Sequence, residues 1–142
     1  MTIARILENR ESSLASCSTG ETVREAAEML AERRIGALPV FESGRIAGIF
    51  SERDLLYCIA REGAAVLERQ VGEVMTAPAI TVEADTPVLD ALQLMTRRRI
   101  RHLPVVQNEQ VLGFISIGDL VKYRMDKLET ERSQMREYIQ TA

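Results

Sequence analysis

Two serine–aspartate pairs have the types and spacing to do chemistry. They are Ser51 with Asp54, in Gly48-Ile-Phe-Ser51-Glu-Arg-Asp54-Leu55, and Ser116 with Asp119, in Gly113-Phe-Ile-Ser116-Ile-Gly-Asp119-Leu120. Each pair follows an apolar run and opens a helix-like pattern. The spacing suits a helix cap, in which the serine oxygen accepts the N3 amide and the aspartate reaches back to the N-cap amide. The same geometry suits a ligand. A helix N-terminus presents amide hydrogens and a positive dipole end, which favour a phosphate. A carboxylate one turn in can accept two hydrogen bonds from a ribose cis-diol, as an acidic residue does in dinucleotide folds. A cap alone accepts Glu or Gln at that position, so aspartate in both copies leans towards a ligand.

A second candidate is Arg97-Arg98-Arg99-Ile100-Arg101-His102. Arginines at a helix end neutralise its dipole. Arg101 and His102 also fall at the entry of a strand, beside the Ser116 turn, where they can grip phosphate oxygens. The first copy has Gly36 and Ala37 at those places, so such a grip is asymmetric. No nucleophile or orienting carboxylate is placed beside His102 by the sequence, so no catalytic residue and no enzyme is expected. Cys17, Cys58 and His102 have no metal-site spacing, and no metal is expected. Neither GxxxxGK[ST] nor GxGxxG occurs.

The elements that position these groups come from an internal repeat. Shifting the chain by 65 residues lays residues 21–57 over 86–122, with 12 of 37 positions identical. Two copies are too few for a solenoid and point to a fused pseudo-dimer. Val23, Ala26, Ala27 and Leu30 share one helical face, and Val88, Ala91, Leu92 and Met95 repeat it. Strands follow at 38–41 and 46–50, and again at 103–106 and 111–115, each pair joined by a short hairpin loop. Pro39 suggests a strand start or an edge. A short strand is expected before each copy, near 14–17 and at 79–82. Val71-Gly-Glu-Val-Met75 and Ile3-Ala-Arg-Ile-Leu7 form small helical segments preceding the copies. The expected divisions are 1–68, 69–123 and a helical extension at 124–142. In the last helix Val121, Met125, Leu128, Arg132, Met135 and Ile139 are spaced as an a/d seam, broken by Arg132.

Composition bounds the class. The chain has 142 residues, 46% apolar and 27% charged, which suits a soluble globular fold. No apolar stretch reaches the ~20 residues of a membrane span, and no signal-peptide core opens the chain, so a cytoplasmic protein is expected. The net charge of -3 disfavours generic polyanion binding, although 16 of the 18 basic residues are arginine.

The duplicated order of these motifs resembles the cystathionine-beta-synthase (CBS) domain pair, or Bateman module. The residues that carry the resemblance are Thr22-Val-Arg-Glu-Ala26 with Thr86-Pro-Val-Leu-Asp-Ala91, Leu-Pro-Val twice, the two Gly-to-Asp-Leu segments, and Val74-Met75-Thr76. The match covers about residues 3–123. The resemblance implies an α/β fold of tandem, pseudo-two-fold β-α-β-β-α repeats, here with a long C-terminal helix. It implies two clefts for adenosine-containing ligands such as AMP, ATP, NAD(H) or S-adenosylmethionine, with no catalytic cofactor. By position, Asp54 and Asp119 take ribose, and Ser51 and Ser116 take phosphate. One cleft then combines Ser51 and Asp54 with Thr86, Ile100 and Arg101. The other combines Ser116 and Asp119 with Ile35, Gly36 and His102. Glu21 stands where the second copy has Thr86, which makes unequal occupancy the expectation.

The resemblance also implies sensing and signal transduction, a homodimer, and a regulated partner protein. The helix at 121–139 is a candidate contact for either. Two other classes stay open at this point: a structural module whose caps bind no small ligand, and an Arg-mediated nucleic-acid binder.

Overall fold

A computed structural model describes residues 2–8 and 14–141. Each half builds from a capped helix and a hairpin. In the first half β1 (Cys17–Ser18) leads to α2 (Val23–Arg33), β2 (Ala37–Glu42), β3 (Arg45–Ser51) and α3 (Glu52–Glu62). The second half repeats α5 (Val88–Arg98), β4 (His102–Gln107), β5 (Gln110–Ser116) and α6 (Ile117–Thr141). A short α1 (Ile3–Glu8) comes first, and a 3-10 turn (Gly63–Glu68) and α4 (Val71–Val74) join the halves.

The repeated helices end alike. Arg34 and Arg99 adopt left-handed backbone (φ 53 and 56), closing α2 and α5 and turning the chain into β2 and β4. β2 pairs antiparallel with β3, and β4 with β5, each with one register shift at matching places, Val40/Phe41 and Val105/Val106. Val23, Ala26 and Leu30 of α2 are buried, as are Val88, Ala91 and Met95 of α5, which is the expected face in both copies.

Pro39 lies inside β2, not at its start. Parallel pairing with β1 begins only at Val40, so the missing Pro39 N–H is not called on from that side. The strand expected at 79–82 is reduced to one bridge, Val82 to Val105. The strand expected at 14–17 is displaced to Cys17–Ser18.

The short segments before each copy are exchanged. α4 precedes the second copy, yet Val71 is buried in the first core with Val23, Leu38 and Phe50. Val71 N–H donates to Glu21 O, and Val23 N–H to Arg69 O, both at 2.8 Å. α1 precedes the first copy, yet Ile3 is buried in the second core with Val88, Met95 and Leu120. Its amides donate to Thr86 O and, from Ala4, to Ala84 O. Two glycines admit these straps. A Cβ on Gly48 would lie 2.6 Å from the Thr76 carbonyl oxygen, and one on Gly113 would lie 2.7 Å from Leu7 Cδ2. No helix among the described residues is long and apolar enough to cross a membrane.

Candidate functional site: a cleft at the head of the third helix

Ser51 is the last residue of β3 and the N-cap of α3. Its extended backbone turns the chain so that Asp54, at N3, faces back towards it. Ser51 Oγ accepts Asp54 N–H at 3.3 Å. Asp54 Oδ2 accepts the Ser51 N–H at 2.9 Å and the Ser51 hydroxyl at 3.0 Å. The capping expectation is therefore met in full. A further bond is outside it: Thr76 Oγ1 donates to Asp54 Oδ1 at 2.8 Å. Thr76 is itself fixed by two 2.9 Å main-chain bonds with Ile49. The linker thus holds the carboxylate from the other side.

This carboxylate lies on a cavity of about 700 Å³, within the range of small-molecule sites. The cavity combines three parts of the chain. The first half gives Gly36, Ile49, Ser51 and the first turns of α3, including Leu56 and Tyr57. The linker gives Thr76, Pro78, Ala79 and Ile80. The second half gives Arg99, Ile100, Arg101 and His102. Most of the wall is apolar. Arg53 Nη1 donates to Arg99 O at 3.4 Å, joining α3 to the end of α5 across the cleft.

His102 is half-buried and stacks on Phe114, with ring centroids 5.5 Å apart. A Cβ on Gly36 would lie 3.1 Å from Glu52 Oε1 and 3.3 Å from His102 Cε1, so a side chain at 36 would crowd both. Burial pushes the His102 pKa below its usual value, while the Asp119 and Glu52 carboxylates pull it up and Arg101 pushes it down.

The structure brings together Ser51, Asp54, Ile100 and Arg101 as expected, and adds Gly36 and His102 to the same cleft. Thr86 is not among the residues that line this cavity. Its Oγ1 accepts Glu83 N–H at 3.1 Å and its carbonyl accepts Ile3 N–H at 3.0 Å, so it is engaged with α1 before α5 begins. α5 has 11 residues and so runs roughly 16 Å. The cleft uses its C-terminal end, and Thr86 sits at the other. Ile35 packs against the first core. Ser116 and Asp119 form their own cap, with Ser116 N–H donating to Asp119 Oδ2 at 2.7 Å and Asp119 N–H to Ser116 Oγ at 3.1 Å.

Thr76, Arg53 and Tyr57 were not among the expected site residues. Thr76 was legible as the end of Val-Met-Thr, but its bond to Asp54 depends on the exchanged linker. Among the described residues no three His, Cys, Asp or Glu side chains gather as a metal site. Burial pushes the Cys17 thiol up to about 12, as expected of a core cysteine.

The CBS domain family model matches residues 10–61 and 71–126. The chain belongs to the CBS domain family. A solved CBS-domain protein from Burkholderia ambifaria is 35% identical with a TM-score of 0.83, over 89% of this chain and 95% of that one. The CBS domain-containing protein CBSX3, mitochondrial, of Arabidopsis thaliana is 39% identical over 87% of this chain; the match spans 63% of that protein. The CBS domain pair of protein MJ0100, solved with 5'-methylthioadenosine and S-adenosyl-L-methionine, has a TM-score of 0.78 at 24% identity, over 89% of this chain and 98% of that one. At that identity the likeness is one of fold.

Proposed function

We propose that this CBS pair is a regulatory module, not a catalyst. It binds an adenosine-containing ligand of the AMP, ATP or NAD(H) type in the Asp54 cleft and signals to a partner protein. The observation that carries this reading is the carboxylate of Asp54, held from two sides on an apolar cavity rimmed by Arg53, Arg99, Arg101 and His102. Asp54 Oδ1 takes the Thr76 hydroxyl, and a carboxylate oxygen can accept a second bond. A ribose diol supplies that bond. The purine lies along Ile80, Ile100 and Tyr57, and the 5'-phosphates meet the rim and the head of α3.

The ligands in the MJ0100 structure are adenosines with sulfur at the 5' position and no phosphate. The arginines of this rim favour a phosphate there instead. A second ligand beside Asp119 belongs to the same proposal, with Ile35, Ser116 and the Gly36–His102 contact near it, and with a weaker phosphate grip. So do a homodimer and an aqueous compartment that holds adenine nucleotides, cytoplasmic or organellar.

Thermal unfolding with AMP, ADP, ATP, NAD, NADH and S-adenosylmethionine at millimolar concentration tests the reading. A ligand at ~100 times its dissociation constant adds about 2.7 kcal/mol, a shift of a few degrees at this size. The shift should vanish in Asp54→Ala and shrink in Asp54→Glu, which keeps the cap. Protein stripped of co-purified nucleotide that shifts with none of the six would leave only the cap and sink the proposal.

A further inference from the structure

α6 runs from Ile117 to Thr141, yet only Leu120 on it is fully buried. Residues 128–141 are all exposed. A helix of this kind gains little from its own chain, and helices in proteins draw most of their stability from packing an amphipathic face. The face is present. Val121, Met125, Leu128, Met135 and Ile139 are 43%, 63%, 47%, 61% and 66% exposed. Their 4-3 spacing assigns Met125, Arg132 and Ile139 to a positions and Val121, Leu128 and Met135 to d positions.

The seam is turned away from the body of its own molecule. The part of α6 that packs inwards is Leu120 with Ile117 and Tyr123, while Tyr123, Arg124 and Lys127 line a small cavity against the start of α5. At 3.6 residues per turn Leu120 lies roughly 130° and Tyr123 roughly 170° around the helix from the a/d midline. A partner helix can therefore reach the a and d residues without displacing Leu120 or Tyr123 from the core.

We infer that the occupant is α6 of a second copy, paired in parallel and in register as a two-stranded coiled coil over residues 121–139. The charges beside the seam select this arrangement. The e positions are Lys122, Glu129 and Arg136, and the g positions include Arg124 and Glu131. In a parallel pair Arg124 faces Glu129 of the second copy, and Glu131 faces its Arg136. Both contacts occur twice by symmetry, and every one joins opposite charges. In an antiparallel pair over the same seam, Glu129 meets Glu129, Glu131 meets Glu131 and Lys122 meets Arg136, all like charges.

The arginine that interrupts the seam fits the parallel form too. At an a position Arg132 carries its guanidinium out past the apolar layer towards Glu131 of the second copy. A polar a residue lowers stability but fixes register. The inference is independent of the ligand reading, because no residue of the Asp54 cleft lies on the seam.

Cross-linking of the full chain tests it. Cys58→Ser removes the more exposed native thiol and leaves buried Cys17. Leu128→Cys in that background should give a disulfide-linked dimer under mild oxidation, because d residues of a parallel, in-register pair face one another. Thr130→Cys, on the outer face, should stay unlinked. Sedimentation provides a second arm that keeps the core intact. Arg124→Glu should weaken the dimer about tenfold, and Arg124→Glu with Glu129→Arg should restore it. A chain that stays monomeric, a dimer that Leu128→Cys does not cross-link, or a double charge reversal that fails to restore affinity would each overturn the inference.

Discussion

At the head of α3, Ser51 and Asp54 close a reciprocal cap, and at the head of α6, Ser116 and Asp119 close the same cap with nearly the same distances. The main chain repeats as well: Glu52 N–H donates to Gly36 O, and Ile117 N–H donates to Arg101 O. What surrounds the caps does not repeat. Beside the first cap the next two helical residues are Glu52 and Arg53; beside the second they are Ile117 and Gly118. The turn into β2 presents Gly36 and Ala37, and the turn into β4 presents Arg101 and His102. Thr76 grips Asp54, while the matching residue of the first strap is Glu8. Duplication has kept the device that starts a helix and varied the groups around it. The cap is therefore a property of the fold, and under the proposed function selectivity belongs to the variable surroundings.

The widest separation between the two caps should appear in binding. Asp54→Ala and Asp119→Ala each remove the carboxylate half of a reciprocal cap, leave the serine bond to the main-chain N–H, and should each cost about 1 kcal/mol of stability. Their effects on an adenine nucleotide should diverge. Removing Asp54 takes away the charged acceptor for the ribose and should weaken binding on the order of a hundredfold. Removing Asp119 should leave the first cleft within about threefold of the parent. Calorimetric titration checks both, and equal losses would show that the variable surroundings do not decide occupancy.

Next in size is a contrast between the two strap contacts. Gly48→Ala sets a methyl against the Thr76 carbonyl, which is main chain and held by Ile49. Gly113→Ala sets it against the end of the Leu7 side chain, which can rotate. Overpacking against backbone should cost about 3 kcal/mol and against Leu7 about 1 kcal/mol. Denaturant unfolding of the two variants measures the difference. Gly48→Ala should also loosen the bond from Thr76 to Asp54 and weaken the ligand, which Gly113→Ala should not.

A smaller effect comes from transplanting one residue between the straps. Thr76→Glu puts the first strap's residue beside Asp54, so a donor is replaced by a like charge. The expected loss is about 1–2 kcal/mol at neutral pH. Two crowded carboxylates hold at least one proton more tightly than an isolated one, so the loss should shrink as pH falls through the carboxylate range. A loss unchanged by pH would mean that Thr76 acts by shape alone.

These contrasts also mark what was legible in the chain. The repeat, the capped helices and the hairpins could be read because they rest on local rules: helical spacing, Ser-x-x-Asp and hairpin punctuation. Ile100 and Arg101 could be grouped with Ser51 and Asp54 only through the resemblance to the CBS pair, because the residues alone put Arg101 and His102 beside the Ser116 turn. Thr86 stands just before α5, whereas this cavity is lined by residues at the other end of that helix. Thr76 ends a legible motif but has no legible role, because its role comes from the exchange of straps and no local pattern tells whether α4 packs backward or forward. Pro39 looked like an edge residue because the extent of β1 cannot be read from a two-residue strand.

The gentlest probe of the asymmetry is His102, whose counterpart Ala37 cannot titrate. Burial lowers its pKa, outweighing the pull of Asp119 and Glu52, and Arg101 acts in the same direction as burial. The folded protein therefore resists protonation of His102 more than the unfolded chain does. Stability is full above the unfolded value of 6.5. It should decline as pH falls through that value and level off below the depressed folded pKa. His102→Gln should remove that part of the slope while leaving the rest of the acid limb in place. Ligand should reverse the sign. A phosphate on the rim favours the imidazolium, so affinity for a nucleotide should rise as pH falls over the same window, and the rise should be absent in His102→Gln. Affinity that is flat with pH in the parent would place the phosphate away from His102 and assign the grip to Arg53, Arg99 and Arg101 alone.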